Sequence, residues 1–283
     1  MPAMSHASLN AVVIGKTVFR NGLFALRVAH TQGAPAPAFI AGQYAVLGVP
    51  LPEGIADPYA EGERRRPPRL GGIVRRSYSI ASPPAERAFV EFYIVRVDTG
   101  QASPVLAHLK EGDHLYMSER FQGRMTLDNA TCASGALPDV VMLATGTGLA
   151  PFLSMLRETQ MEKVLGKPPR WRRCVLMHGV REEVDLGCRA ELEQLAKHDP
   201  SFVYLPSLTR ADEAWTGRRG RVQTAFDDGT LAAAGIGADP ACTHVFLCGA
   251  PGMIDETEAQ LIPRGFKPWK MKEGGNLHLE RFW

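Results

Sequence analysis

No two of the five cysteines form a C-x-x-C pair; they stand at 132, 174, 188, 242 and 248. The odd count and scattered spacing argue against a disulfide framework, a structural zinc site and an iron–sulfur module. Free thiols are expected, and with them a reducing, cytoplasmic setting. The chain also lacks a run of about 18 apolar residues, so no membrane span is expected. Its first stretch has no basic start followed by a long apolar run, so no secretory leader is expected. Charge of one sign is missing too. The 32 Lys and Arg against 30 Asp and Glu leave a formal charge of +2, which gives no reason to expect nucleic acid as a partner. The local exception is "ERRRPPRLGGIVRR", with six arginines between Arg64 and Arg76. It reads as a solvated loop or as a docking face for an acidic protein.

What is present suffices for two ordinary domains: 283 residues, 45% of them apolar. Up to about position 120 the chain reads as short strands rich in β-branched and aromatic residues: "AVVIGKTVF", "LFALRVAH", "QYAVLGV", "RSYSIAS", "FVEFYIVRV" and "DHLYMSE". Turn signals such as Asn21-Gly22 and Gly112-Asp113 separate them, and one helical piece, "SPVLAHLK", interrupts the series. Six such strands predict a small antiparallel β-barrel. Leu51–Gly72, rich in Pro, Gly and Arg, reads as a long loop. After "ASGALPD" the pattern changes. "VVMLA", "CVLMHG", "FVYLPSL" and "HVFLCG" are continuous apolar runs, as in strands buried on both faces. Amphipathic segments such as "AELEQLAKH" and "IDETEAQLI" alternate with them, which predicts an α/β unit on a parallel sheet. The boundary is placed near Leu137, giving 1–137 and 138–283.

Four stretches carry candidate chemistry. "ATGTGLAP", from Ala144 to Pro151, lies between an apolar strand and a helix. Thr145, Gly146, Thr147 and Gly148 there suit a backbone that must turn tightly around a pyrophosphate. The pattern is G-x-G-x-x-P, without the third glycine of the usual dinucleotide fingerprint, so a glycine turn with no ligand stays open. Next, arginines follow successive strands at Arg181, Arg210 and Arg221, with Arg218 and Arg219 beside the last. Guanidinium forks suit the 2′-phosphate of NADP, while Glu182, Glu183 and Asp185 keep NAD in play. "FLCGAPGM" then places Cys248 and Gly249 at the carboxyl edge of the sheet, where open parallel sheets collect ligands; a buried small hydrophobe is the alternative. Last, the sequence ends on "LHLERFW", and an aromatic pair there suggests something flat to pack against, or simple core packing.

Together with "RRSYSIAS", these stretches resemble the ferredoxin–NADP reductase superfamily, and within it the bacterial ferredoxin/flavodoxin–NADP reductases. Arg76, Ser77, Tyr78 and Ser79 match its R-x-Y-S pattern. The resemblance implies that Tyr78 stacks on the isoalloxazine of FAD, Ser79 bonds near flavin N5 and Arg76 holds the FAD pyrophosphate. It puts Tyr93 and Thr145 beside the same cofactor. "GQAS", from Gly100 to Ser103, matches a second flavin-phosphate turn. "HGVR", "LTR" and "GRV" match the segments whose Arg181, Arg210 and Arg221 meet the NADP 2′-phosphate, and "CGAPGM" the segment beside the nicotinamide. By likeness of "ERFW" to bacterial tails, Phe282 shields the flavin and Trp283 stacks on its adenine. Ser79, Cys248, Glu280 and Phe282 then surround the reacting atoms. The implied activity is electron exchange between NADP(H) and ferredoxin or flavodoxin through FAD, by a protein expected to be monomeric. A flavin reductase and an oxygenase's reductase component are the alternatives. Two departures are visible: the long Leu51–Gly72 loop, and Phe282 where many relatives have tyrosine.

Overall fold

The computed structural model describes residues 9–20, 22–50 and 72–281. Asn21, most of the arginine-rich loop (51–71) and the aromatic pair Phe282 and Trp283 lie outside the described residues, so the expectations placed on them do too.

The first sheet contains β1 (Ala11–Arg20), β2 (Leu23–His30), β3 (Tyr44–Pro50), β4 (Ile73–Ser79), β5 (Val90–Val95) and β6 (His114–Met117). Its strands run antiparallel in the order β4-β3-β6-β1-β2-β5. An antiparallel bridge from Ile80 to Phe92 brings the two outer strands together, as a barrel requires. Strand β5 shows how the period of two divides its labour. Val90, Phe92 and Ile94 enter the barrel core with Leu26, Leu47 and Leu115. Tyr93, on the opposite face, packs into the core of the second sheet. The short helix α1 (Ser103–His108) contributes the fully buried Leu106 to the barrel core.

The second sheet is parallel throughout, in the order β10-β9-β8-β7-β11-β12. Its strands are β7 (Asp139–Thr145), β8 (Arg173–Val180), β9 (Phe202–Leu208), β10 (Arg218–Arg219), β11 (Thr243–Gly249) and β12 (Leu277–Arg281). Helices α2 (Ala150–Val164), α3 (Arg189–His198), α4 (Thr230–Ala233) and α5 (Pro251–Leu261) connect them. The apolar run of β7 is explained by its two buried faces. Val140, Met142 and Ala144 pack with Phe152 and Leu192 on one side. Val141 and Leu143 pack with Ile254 and Leu261 on the other. From β7 the chain runs outward through β8, β9 and β10, then crosses to β11 and β12. The order therefore reverses at β7 and β11, where a crevice opens at the carboxyl edge of the sheet.

Two features depart from expectation. The "LHLER" segment, read only as part of a tail, forms β12 and pairs in register with β11, Cys248 opposite Glu280. The expectation of free thiols throughout is corrected at one pair. Cys132 and Cys242, separated by 110 positions, are joined as a disulfide with Cα atoms 4.9 Å apart. The Asp139 N–H donates to the Cys242 carbonyl at 3.0 Å, which draws the chain entering β7 against the chain entering β11. Cys174, Cys188 and Cys248 are buried free thiols.

Candidate active site

β4 carries the R-x-Y-S residues to the rim between the two sheets. A cavity of about 850 Å³ opens there, lined by Arg76, Ser77, Tyr78, Ser79, Tyr93 and the turn Gly100–Ser103. The sheet side supplies Thr147, Ala150 and Glu280. Ser79 Oγ and Glu280 Oε2 are buried and have no hydrogen-bond partner among the described residues. An orphaned buried polar atom costs about 1–3 kcal/mol, so two of them on residues that line one cavity fit a ligand that brings its own donors and acceptors. Burial pushes the Tyr78 phenol up to about 12, with Arg76 pulling the other way. Burial likewise raises the Tyr93 phenol. Both rings are therefore uncharged apolar walls at neutral pH.

Not every expected phosphate contact is left open to a ligand. Arg76 donates to Gln101 Oε1 at 3.1 Å, tying β4 to the turn. Ser103 Oγ accepts the Val97 N–H at 3.0 Å and so serves the turn itself. A Cβ on Gly100 would sit 3.0 Å from the Val97 carbonyl oxygen, so any larger residue there would crowd the turn.

A second cavity, of about 690 Å³, shares Thr147, Val95 and Val97 with the first. Its floor is the glycine loop, where Gly146–Leu149 makes a tight helical turn that leads into α2. Gly146 and Gly249 have positive φ angles of 54° and 131°. A Cβ on Gly148 would collide with the Cys248 carbonyl, and one on Gly249 with Thr145 Oγ1. The loops after β7 and β11 therefore meet backbone to backbone. Thr145 Oγ1, which accepts the Ala250 N–H at 2.7 Å, joins them.

Sequence reasoning missed His178, buried in β8 beneath this loop. Its Nε2 lies 3.1 Å from the Gly146 carbonyl and so must donate, while Nδ1 lies 3.3 Å from the Tyr204 hydroxyl and accepts. Burial pushes this imidazole down to about 4, so it stays neutral. A polar residue within the run "CVLMHG" was the available signal.

The three expected arginines emerge along one edge. The Arg210 N–H donates to the Arg181 carbonyl at 2.8 Å, so the two side chains start from adjacent points. Neither has an ionic partner among the described residues. Arg221, in contrast, pairs with Glu256 at 2.9 Å, and Arg218 is committed to Asp228 and Ser207. Cys248 is fully buried, its thiol pushed up by burial with the Glu280 carboxylate adding to the shift, which makes it a neutral wall. Burial raises Glu280 itself to about 7.

The barrel, the parallel sheet and the glycine-floored crevice between them define a two-domain, dinucleotide-dependent oxidoreductase fold, and the family described as "Oxidoreductase NAD-binding domain" matches residues 142–259. The chain is 31% identical over 233 residues to the flavodoxin/ferredoxin–NADP reductase of Shigella flexneri, spanning 81% of each. It is 32% identical over 225 residues to the ferredoxin–NADP reductase of Azotobacter vinelandii, spanning 75% of this chain and 81% of that one. The structure of a ferredoxin NADP+ reductase from Neisseria gonorrhoeae, with bound FAD and NADP, superposes with a TM-score of 0.76. It shares 23% identity and covers 96% of this chain and 98% of its own. The chain belongs to the flavodoxin/ferredoxin–NADP reductase family.

Proposed function

We propose that this protein is an FAD-dependent oxidoreductase that moves electrons between NADP(H) and a one-electron carrier, ferredoxin or flavodoxin. The observation that carries the reading is the pair of adjoining cavities. One is rimmed by the orphaned Ser79 and Glu280 oxygens, the other by the glycine loop and by Arg181, which has no carboxylate partner among the described residues. Residues 1–137 hold FAD and 138–283 hold NADP(H). Bound there, FAD would supply the chemistry that links a two-electron hydride carrier to a one-electron carrier.

The chain's own residues bind, orient and shield. Tyr78 and Tyr93 wall the FAD cavity, Ser79 supplies a hydroxyl there, and Arg76, Ser77 and the Gly100–Ser103 turn address the FAD phosphates. Thr145 holds the two sheet-edge loops together. Gly146, Thr147, Gly148 and Gly249 leave room for the NADP pyrophosphate at the turn that leads into α2. Arg181 and Arg210 meet the 2′-phosphate, with Arg221 available on leaving Glu256. Cys248 and Glu280 close the space where the two cofactors meet, Cys248 by packing and Glu280 by holding a proton at its carboxyl near neutral pH.

The test is anaerobic. NADPH should reduce ferredoxin or flavodoxin only when the FAD-loaded protein is present, at a rate proportional to its concentration. Failure with both carriers, alongside rapid reduction of free flavin, would assign the chain to flavin reduction instead.

A further inference from the structure

Helix α5 turns one acid toward the second cavity. Ile254 and Leu261 bury into the core of the parallel sheet. Asp255 and Glu258 pair with Arg281 of β12, at 3.0 Å and 2.8 Å. Glu256 remains. With Gly252 and Met253, one helical turn back, it lines the cavity of about 690 Å³ that Arg181 and Arg221 also line.

The Glu256 carboxylate is held at both oxygens. Oε2 accepts from the Nε2 amide of Gln223, which is itself only 7% exposed. Oε1 pairs with Arg221 Nη1 at 2.9 Å. The Gln223 hydrogen bond, and after it Arg221, hold the Glu256 carboxyl below its usual value, so it is ionised at neutral pH. The Arg221 backbone is fixed as well, because its carbonyl accepts Arg218 Nη1 at 2.9 Å. The ion pair itself can exchange. Its two side chains are 66% and 51% exposed, and water competes for both charges. One arginine of this cavity therefore already holds an anion. Arg181 has no ionic partner among the described residues, and the other acid that lines the cavity, Asp185, is taken by Arg20.

We propose that Glu256 is a specificity-determining residue that acts through Arg221: a cofactor's 2′-phosphate gains this guanidinium only by displacing the carboxylate, so Glu256 lowers the preference for NADP(H) over NAD(H). The inference rests on the reading of Arg181, Arg210 and Arg221 as the 2′-phosphate site. A cofactor with a free 2′-hydroxyl leaves the pair intact. Gln223 keeps its hold on the carboxylate, so Glu256 stays beside the cavity and competes for Arg221 at every binding event. An exposed pair is weak, and the exchange should lower affinity for the phosphate by about threefold to fivefold. Arg181 gives up no partner, so most of the discrimination falls on it.

In the FAD-loaded protein, calorimetry compares 2′,5′-ADP with 5′-AMP, which differ only in the 2′-phosphate. Glu256→Gln should bind 2′,5′-ADP about threefold to fivefold more tightly and leave 5′-AMP unchanged. In the Arg221→Ala background the same substitution should give almost no gain, because the guanidinium that Glu256 occupies is gone. An unchanged or weaker 2′,5′-ADP affinity in Glu256→Gln overturns the proposal. So does a gain that persists without Arg221, which would be charge repulsion alone, and so do equal gains for both nucleotides, which would be a change in cavity shape. Arg181→Ala separates this inference from the functional reading. If it weakens 2′,5′-ADP while Glu256→Gln changes nothing, the reading stands and this inference fails. If 2′,5′-ADP binds no more tightly than 5′-AMP and Arg181→Ala alters neither, the reading fails and this inference falls with it.

Discussion

Arg157 of α2 and Glu91 of β5 meet at 2.7 Å across the junction of the barrel and the parallel sheet. The same guanidinium donates to the Ala81 carbonyl at 2.9 Å and pairs with Glu191, so it joins three segments. Glu91 keeps a second partner in Arg27 at 2.8 Å. Breaking a buried pair costs about 3–5 kcal/mol. Arg157 is 24% exposed and Arg27 remains, so Arg157→Met should cost less, about 1–3 kcal/mol after that discount. A loss of melting temperature confined to Arg157→Met, and absent in a surface change such as Lys272→Met, would support the junction role.

The same pair sets an acid limit. Burial pushes the Glu91 carboxyl up, but Arg157 and Arg27 outweigh it and hold it below the usual carboxylate value. A depressed folded pKa contributes stability that is present above the unfolded value and lost as pH falls through the folded one. The melting temperature should therefore drop on acidification below about pH 4.5, and Glu91→Gln should flatten that slope. An unchanged slope would remove Glu91 from the account.

Glu280 carries the opposite sign. Burial raises its carboxyl to about 7. The folded protein therefore binds a proton that the unfolded chain has lost, and stability falls as pH rises from the ordinary carboxylate range through 7. Glu280→Gln should be more stable than the unsubstituted protein above pH 7 and similar to it near pH 4. Thermal unfolding at those two pH values checks this; equal differences at both would contradict it.

The fold was legible where one period dominates. "VVMLA" and "CVLMHG" read as strands buried on both faces, and the glycine loop between strand and helix marked one candidate place for a crevice. β12 was not legible, because five residues of "LHLER" show neither a clean alternation nor a turn signal, and its place depends on β11. The disulfide was hidden for a related reason: 110 positions separate Cys132 from Cys242, and only the shared edge of the sheet brings them together. The candidate site divides in the same way. Side chains proposed to meet a ligand, such as Ser79 and Arg181, belong to recognisable motifs. Those that hold the loops, such as His178 beneath Gly146, do so through tertiary contacts that spacing cannot announce.

Gly249 tests the sheet-edge contact. Its φ of 131° is strained for any other residue, and an added Cβ would lie 2.8 Å from the Thr145 carbonyl oxygen and 3.0 Å from its nitrogen. Gly249→Ala should cost about 1–3 kcal/mol and part the two loops. NADP+ affinity, read by difference spectroscopy, should weaken by about tenfold or more. Unchanged affinity would mean that the loops do not shape the nucleotide site.

On the proposed reading Arg181 and Arg210 meet the 2′-phosphate, so they should decide between the two nicotinamide cofactors. A hydrogen bond to a charged group is worth about 1.5–3 kcal/mol, so Arg181→Ala should lower kcat/KM for NADPH by about tenfold to a hundredfold. The value for NADH should barely move. Equal losses for both would place Arg181 away from the 2′-phosphate.

The central claim is that FAD and NADP(H) meet across the two adjoining cavities. It is tested most directly by rapid anaerobic mixing of the purified yellow protein with NADPH while the flavin absorbance is followed. The account predicts bleaching in a single turnover with NADPH, much slower bleaching with NADH, and recovery of colour when ferredoxin or flavodoxin is added. A protein that purifies without flavin and does not take up FAD, or one whose bound FAD is not bleached by NADPH, would contradict it.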